Sequence, residues 1–171
     1  LAGKLKQSSV KTVVLLMLSG GIAASASAQP GDASNLPEID KELVDQFDQL
    51  WVQGVDGRVE PVSTLTSEIV RKISRKSSLY GMSPSEVVLS MMTWPEIWRT
   101  LPVIRISDKA LNSELGVSGK YVNLRQLFDE QGNYKIAEQV QAAFAKSPGF
   151  RNQIDKEYIN LDERVNISFM I

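Results

Sequence analysis

The chain has 171 residues and a mass of 18.9 kDa, one domain's worth of protein, with 19 Lys+Arg against 20 Asp+Glu for a net charge of -1. That balance speaks against an electrostatic nucleic-acid binder, which would carry a strongly basic face or tail. The chain has no Cys and no His, which excludes disulfides, Cys/His zinc sites, c-type haem attachment, thiol catalysis and any Ser-His-Asp pair, and leaves only weak haem ligands such as Met and Tyr.

Residues 1–29 hold Lys4, Lys6 and Lys11 with no acid, followed by the apolar run Val13–Ala28 and the small-residue triplet Ala26-Ser27-Ala28. A basic flank, an apolar stretch and a small-residue site form a secretory signal pattern. A membrane span is the competing reading, although sixteen residues at ~1.5 Å each reach only about 24 Å, short of the ~30 Å hydrocarbon core. Either way the lysines stay in the cytoplasm and everything after about residue 29 lies outside it. Residues 30–37, small, polar and turn-rich, read as a linker. Residues 38–171 then form the globular part.

Its periodicity is helical. Ile39, Leu43, Phe47, Leu50 and Trp51 recur at helix spacing and stop before Gly54, and Val62, Leu65, Ile69 and Ile73 form the next stripe. Ser83-Pro84-Ser85-Glu86 is a capping box that launches Val87 to Met92, and Thr93-Trp94-Pro95-Glu96 repeats the pattern over Trp98. Leu101–Ile106, β-branched and containing Pro102, is the one stretch that reads as extended. Asp108 and Asn123 look like caps of two short helices, and Ile136 to Phe144 form another stripe. Phe150, Ile154, Tyr158, Leu161, Val165 and Phe169 make a long one without a stop signal. We therefore expect a mainly α domain with at most one short extended segment, preceded by an N-terminal membrane helix or signal. Its last helix, apolar to the end, is expected to pack against further sequence or a partner.

Chemistry is sparse. No phosphate-binding glycine loop, dinucleotide fingerprint or calcium loop is present, and the many Ser and Thr lack a His base or a Ser-x-x-Lys arrangement. No residue is assigned as catalytic or metal-binding. Arg71, Lys72, Arg75 and Lys76 set basic pairs four apart at a helix end, where they could bind an anion such as lipid phosphate or haem propionate, or simply complement the helix dipole. Trp94 and Trp98, one turn apart beside Met91 and Met92, could face a partner or a porphyrin, though core packing is the commoner use of such a cluster. Asp56-Gly57-Arg58 before Pro61 reads first as a turn.

The run Asp56-Gly-Arg-Val-Glu-Pro61, then Thr64 and Ser67 to Ser77, resembles a stretch of the bacterial System II cytochrome c biogenesis proteins of the fused ResB/CcsA type. The likeness continues through Ser83–Leu89, Met92, Trp98, Leu101–Ile104 and Asp162-Glu-Arg-Val-Asn166. Where similar proteins often have Leu-Asp after the proline, this chain has Val62-Ser63, and Ser can cap a helix as Asp does. The resemblance implies an extracytoplasmic module of an inner-membrane protein that delivers haem and attaches it to apocytochrome c. It also implies a retained membrane span before the domain. In similar proteins haem is held by membrane-embedded histidines and a Trp-rich external segment. Trp94-Pro-Glu-Ile-Trp98 lacks the flanking Gly and Asp of that segment, so no haem-binding residue carries over and no cofactor is expected on this segment itself. The expected partners are the other transmembrane and extracytoplasmic parts of the same protein, the inner membrane and, as a candidate, apocytochrome c. The alternative is a secreted or membrane-anchored binding domain with no haem role; an enzyme built on a carboxylate pair is a third.

Overall fold

The computed structural model describes residues 32–54 and 57–171. The signal-or-span segment expected over 1–29, the first two residues of the linker, and Val55-Asp56 lie outside them. The domain is mainly helical, as expected, with more strand than the single extended stretch.

Asp32 accepts the Ser34 N–H to start a short 3-10 turn over Ala33–Asn35, and Ala33 and Leu36 pack on the core. Asp40 caps α1 (Lys41–Asp48) by accepting from Glu42 N–H at 2.9 Å. The helix expected to continue through Trp51 stops there instead. Trp51–Gln53 forms β1, antiparallel to β2 (Val59–Pro61), with Trp51 opposite Pro61. Gly54 closes this hairpin by bonding Arg58 O at 2.8 Å rather than ending a helix. Of the expected stripe only Ile39 is buried; Val44 takes the inward place, and Leu43, Leu50 and Trp51 are exposed.

Pro61 leads directly into α2 (Val62–Ser74). Its buried face is Val62, Thr66, Val70 and Ile73, one position round from the expected Leu65 and Ile69, which are half-buried. Thr66 can sit inward because its hydroxyl is satisfied, donating to Ser63 O at 3.1 Å and lying 2.9 Å from Ser85 Oγ. Both arms of the predicted box form at the start of α3 (Pro84–Thr93): Glu86 N–H donates to Ser83 Oγ, and Ser83 N–H to the Glu86 carboxylate. The second predicted box does not form. Thr93 is the last residue of α3 and its hydroxyl donates back to Leu89 O at 2.8 Å, so α4 (Pro95–Trp98) begins without a side-chain cap.

The extended stretch contributes β3 (Ile104–Arg105), which pairs antiparallel with an unforeseen β4 (Tyr121–Val122). Between them Asp108 caps α5 (Lys109–Glu114). Asn123 and Gln126 cap each other's ends of a 3-10 turn over Leu124–Leu127. Next come α6 (Ala137–Ala145) and α7 (Gln153–Met170). The stripe expected from Phe150 starts later, because Asn152 and Asp155 form a reciprocal cap that fixes the first turn at Gln153. Phe150 is left 84% exposed in a 3-10 turn, and Phe144 is half exposed with the Arg151 guanidinium near its ring. One core joins all layers, with Ile73, Leu101, Ile104, Leu127, Ile136 and Leu161 fully buried in it.

Asp155 does double duty in that cap. It is buried, accepts the Lys146 ammonium at 2.6 Å and thereby ties the end of α6 to α7. The Lys146 hydrogen bond, seconded by the Asn152 N–H, holds its carboxyl below the usual 3.8. A depressed folded pKa gives stability that is fully present above the unfolded value and is lost as pH falls through the folded one. The stability gap between the wild type and Asp155→Asn should therefore be constant above about pH 5 and close as the pH drops below the ordinary carboxylate range. Urea titrations of both proteins across that window measure it.

Candidate functional site

The basic run occupies the last turn of α2 and the two residues beyond it. Helix geometry would stack Arg71 on Arg75 and Lys72 on Lys76, but α2 ends at Ser74 and the four cations part company. Arg75 takes the left-handed conformation, φ 60° and ψ 23°, with its N–H on Arg71 O. Arg71 is exposed. Lys72 reaches across to α7, pairing with Glu163 at 2.6 Å. Lys76 lies 4.6 Å from the centre of the Tyr121 ring. The Tyr121 hydroxyl in turn donates to Ser74 O at 3.1 Å, locking β4 under the end of α2.

Two cations that the sequence did not single out meet them there. Arg105 sits 5.6 Å from the same Tyr121 ring. Arg164, on the inner face of α7, is only 3% exposed and donates Nη1 to Arg105 O at 2.6 Å. Burial lowers the pKa of Arg164, and the neighbouring Arg75 and Arg105 act in the same direction, while Glu157 and Glu163 oppose them. The Nε atoms of both Arg105 and Arg164 are buried without a hydrogen-bond partner. The available signal was positional: Arg164 stands between Leu161 and Val165 on an apolar stripe, where a surface residue would not fall.

The tryptophans separate as well. Trp98 is 4% exposed, its indole N–H donates to the buried Ser90 hydroxyl at 2.8 Å, and its ring tilts against Tyr80 at 6.0 Å. Trp94 is half-buried at the α3–α4 junction. A cleft of about 220 Å³ opens beside Trp98, walled by Met91, Val103, Leu124, Phe169 and Ile171. Trp94 does not line it. The volume falls below the ~300–1,000 Å³ of sites that enclose an organic ligand. Among the described residues no group of three Asp or Glu side chains converges to hold a metal ion, and no helix is long and apolar enough to cross a membrane.

No family model matches the chain. A comparison with curated proteins finds Protein NrfI of Wolinella succinogenes, 34% identical over 176 residues; the match takes in all of this chain and 20% of NrfI. The chain thus spans about a fifth of the length of the curated relative it matches.

The contrast between the two sequence-derived candidates is measurable. Trp98 is a packed, hydrogen-bonded core residue, so Trp98→Ala should cost about 3–5 kcal/mol. Lys72 and Glu163 are both close to half exposed, so Lys72→Gln should cost no more than about 1 kcal/mol. Equilibrium urea unfolding of the two variants reads both values.

Proposed function

We propose that this chain is an extracytoplasmic module of a bacterial inner-membrane protein for cytochrome c maturation, the machinery that delivers haem and attaches it to apocytochrome c. The observation that carries this reading is the end-to-end likeness to one fifth of Protein NrfI, which we take to be a protein of the same System II type. The ordered motifs from Asp56 to Asn166 point the same way. In this reading residues 1–29 are a retained span, and the domain after them faces the periplasm. The domain packs against the other transmembrane and extracytoplasmic parts of the same protein, with apocytochrome c as a further partner. Nucleic acid plays no part.

Within that assembly the domain acts as a scaffold rather than as the haem ligand or a catalyst. Ligation belongs on other parts of the protein, because this chain offers no His or Cys. Its most buried aromatic, Trp98, has already committed its polar edge to Ser90. Met91, the soft side chain on the Trp98 cleft, is itself buried in the core.

Two measurements test this. Titrated with haem in neutral detergent, the chain should bind weakly and give no sharp six-coordinate Soret band; such a band at micromolar affinity would promote Met91 or a tyrosine to axial ligand and overturn the scaffold assignment. In a cell that depends on the whole protein, replacing residues 38–171 by a flexible linker should abolish haem-stained cytochrome c. Unchanged cytochrome yield with normal membrane insertion would remove the maturation role of this module.

A further inference from the structure

We propose that Arg75, Arg105 and Arg164 form a binding site for a single oxyanion, a carboxylate or a phosphate, at the place where α2, β3 and α7 meet. These three elements pack against one another in pairs. Each brings one arginine to this junction: Arg75 at the exposed end of α2, Arg105 half-buried on β3, and Arg164 on the buried face of α7, where its Nη1 donates to Arg105 O at 2.6 Å and both Arg75 and Arg105 act on its charge.

Attraction to the carbonyl end of α2 accounts for Arg71 and Lys72, as at many helix ends. It does not account for Arg105 and Arg164, which come from other elements. A buried guanidinium is expensive to desolvate and is normally paired with a carboxylate. Arg164 has only the Arg105 carbonyl. Among the described residues no ion pair within 4.0 Å involves Arg75, Arg105 or Arg164. Glu157 and Glu163 on α7 act on Arg164 only from beyond ion-pair distance, and Glu163 is taken by Lys72. The two buried Nε donors without partners show that hydrogen-bonding capacity here exceeds what the protein itself uses. Planar guanidinium forks suit carboxylate and phosphate oxygens and accept a bidentate geometry. Lys76, held over Tyr121, adds positive potential at the rim.

The backbone supplies a second, separate observation. Arg75 holds a left-handed conformation at the end of α2, a position at which glycine is the unstrained residue. Arginine there carries a conformational penalty, and such penalties concentrate at positions with a task. Past that turn the chain is no longer helical, so Arg75 leaves the Arg71 face of the helix, and its charge acts on Arg164.

The strain makes the test sharp, since removing this cation should improve the fold. Arg75→Gly is expected to raise the melting temperature of the full chain by a few degrees. In neutral detergent, low-millimolar inorganic phosphate or propionate should raise the melting temperature of the wild type above that in sodium chloride of equal ionic strength, as ligand linkage requires. Arg75→Gly should lose this response, with affinity weakened about tenfold or more. Arg105→Lys, which keeps the charge and loses the fork, should weaken it too, while Lys72→Gln should keep it. A response to phosphate alone assigns the site to phosphate groups, and a response to propionate alone to carboxylates; either supports it. Equal shifts in chloride, or an Arg75→Gly protein that responds as the wild type does, would overturn the proposal.

Discussion

The seating of α7 is the constraint on which the remaining structure depends. The strands are two or three residues long, and hairpins of that size are marginal unless they pack on something larger. With no disulfide available, α2 supplies that support to β2 and α7 supplies it to β3, while α7 also touches α2, α5 and α6 along its 18 residues. Leu161 and Val165 carry it into the core, and Arg164 fastens it to β3 by the carbonyl of Arg105. Taking a guanidinium out of water costs several kcal/mol, and one carbonyl acceptor offsets only part of it. The contact therefore contributes more to position than to stability. A helix slipped by one residue would carry a buried charge away from its acceptor, so the Arg164–Arg105 bond fixes which face of α7 points inward.

The parts of the fold that were legible in the sequence are those governed by short-range chemistry. Ser83-Pro84-Ser85-Glu86, Asp108 and Asn123 all cap what they were expected to cap, because a cap needs only its own first turn. The stretch around Ile104 is extended, as its β-branched residues and Pro102 suggest. Misreadings fell where a distant partner decides. Leu50 and Trp51 fit a helix by spacing, yet β2 offers their backbone a ladder that no local rule reveals. Thr93 had the right neighbours for a cap, but its position at the end of α3 gave its hydroxyl a nearer acceptor in Leu89 O. On α2 the inward positions Thr66 and Val70 displaced Leu65 and Ile69, since Ser85 on α3 was there to satisfy the Thr66 hydroxyl.

The same division runs through the candidate site. Arg71, Lys72, Arg75 and Lys76 were visible as a run, and their spacing promised one charged face. The promise held only while the chain stayed helical. Once Arg75 turned left-handed, the geometry passed to residues 30 and 89 positions further on, Arg105 and Arg164, whose proximity no spacing rule contains. Trp94 and Trp98 were equally visible as a pair, and the Ser90 hydroxyl separated them by drawing one indole inward. In both cases the residue types were right and the grouping was made by tertiary contacts.

Charge and cleft are also joined through α7 itself. The Ser168 hydroxyl donates to Arg164 O at 2.8 Å, one helical turn along, and Ser168, Phe169 and Ile171 then form one wall of the cleft beside Trp98. Phe169 also meets Phe128 edge-on at 5.6 Å, and Phe128 stacks on Tyr134 at 5.3 Å, so the aromatic cluster leans on the same last turn. A continuous hydrogen-bonded helix transmits a shift or rotation far better than a loop does. The seat of Arg164 against β3 and one wall of the cleft beside Trp98 are thus set within two turns of the same helix. The buried arginine and the cleft beside the buried tryptophan therefore share one support, the last turns of α7.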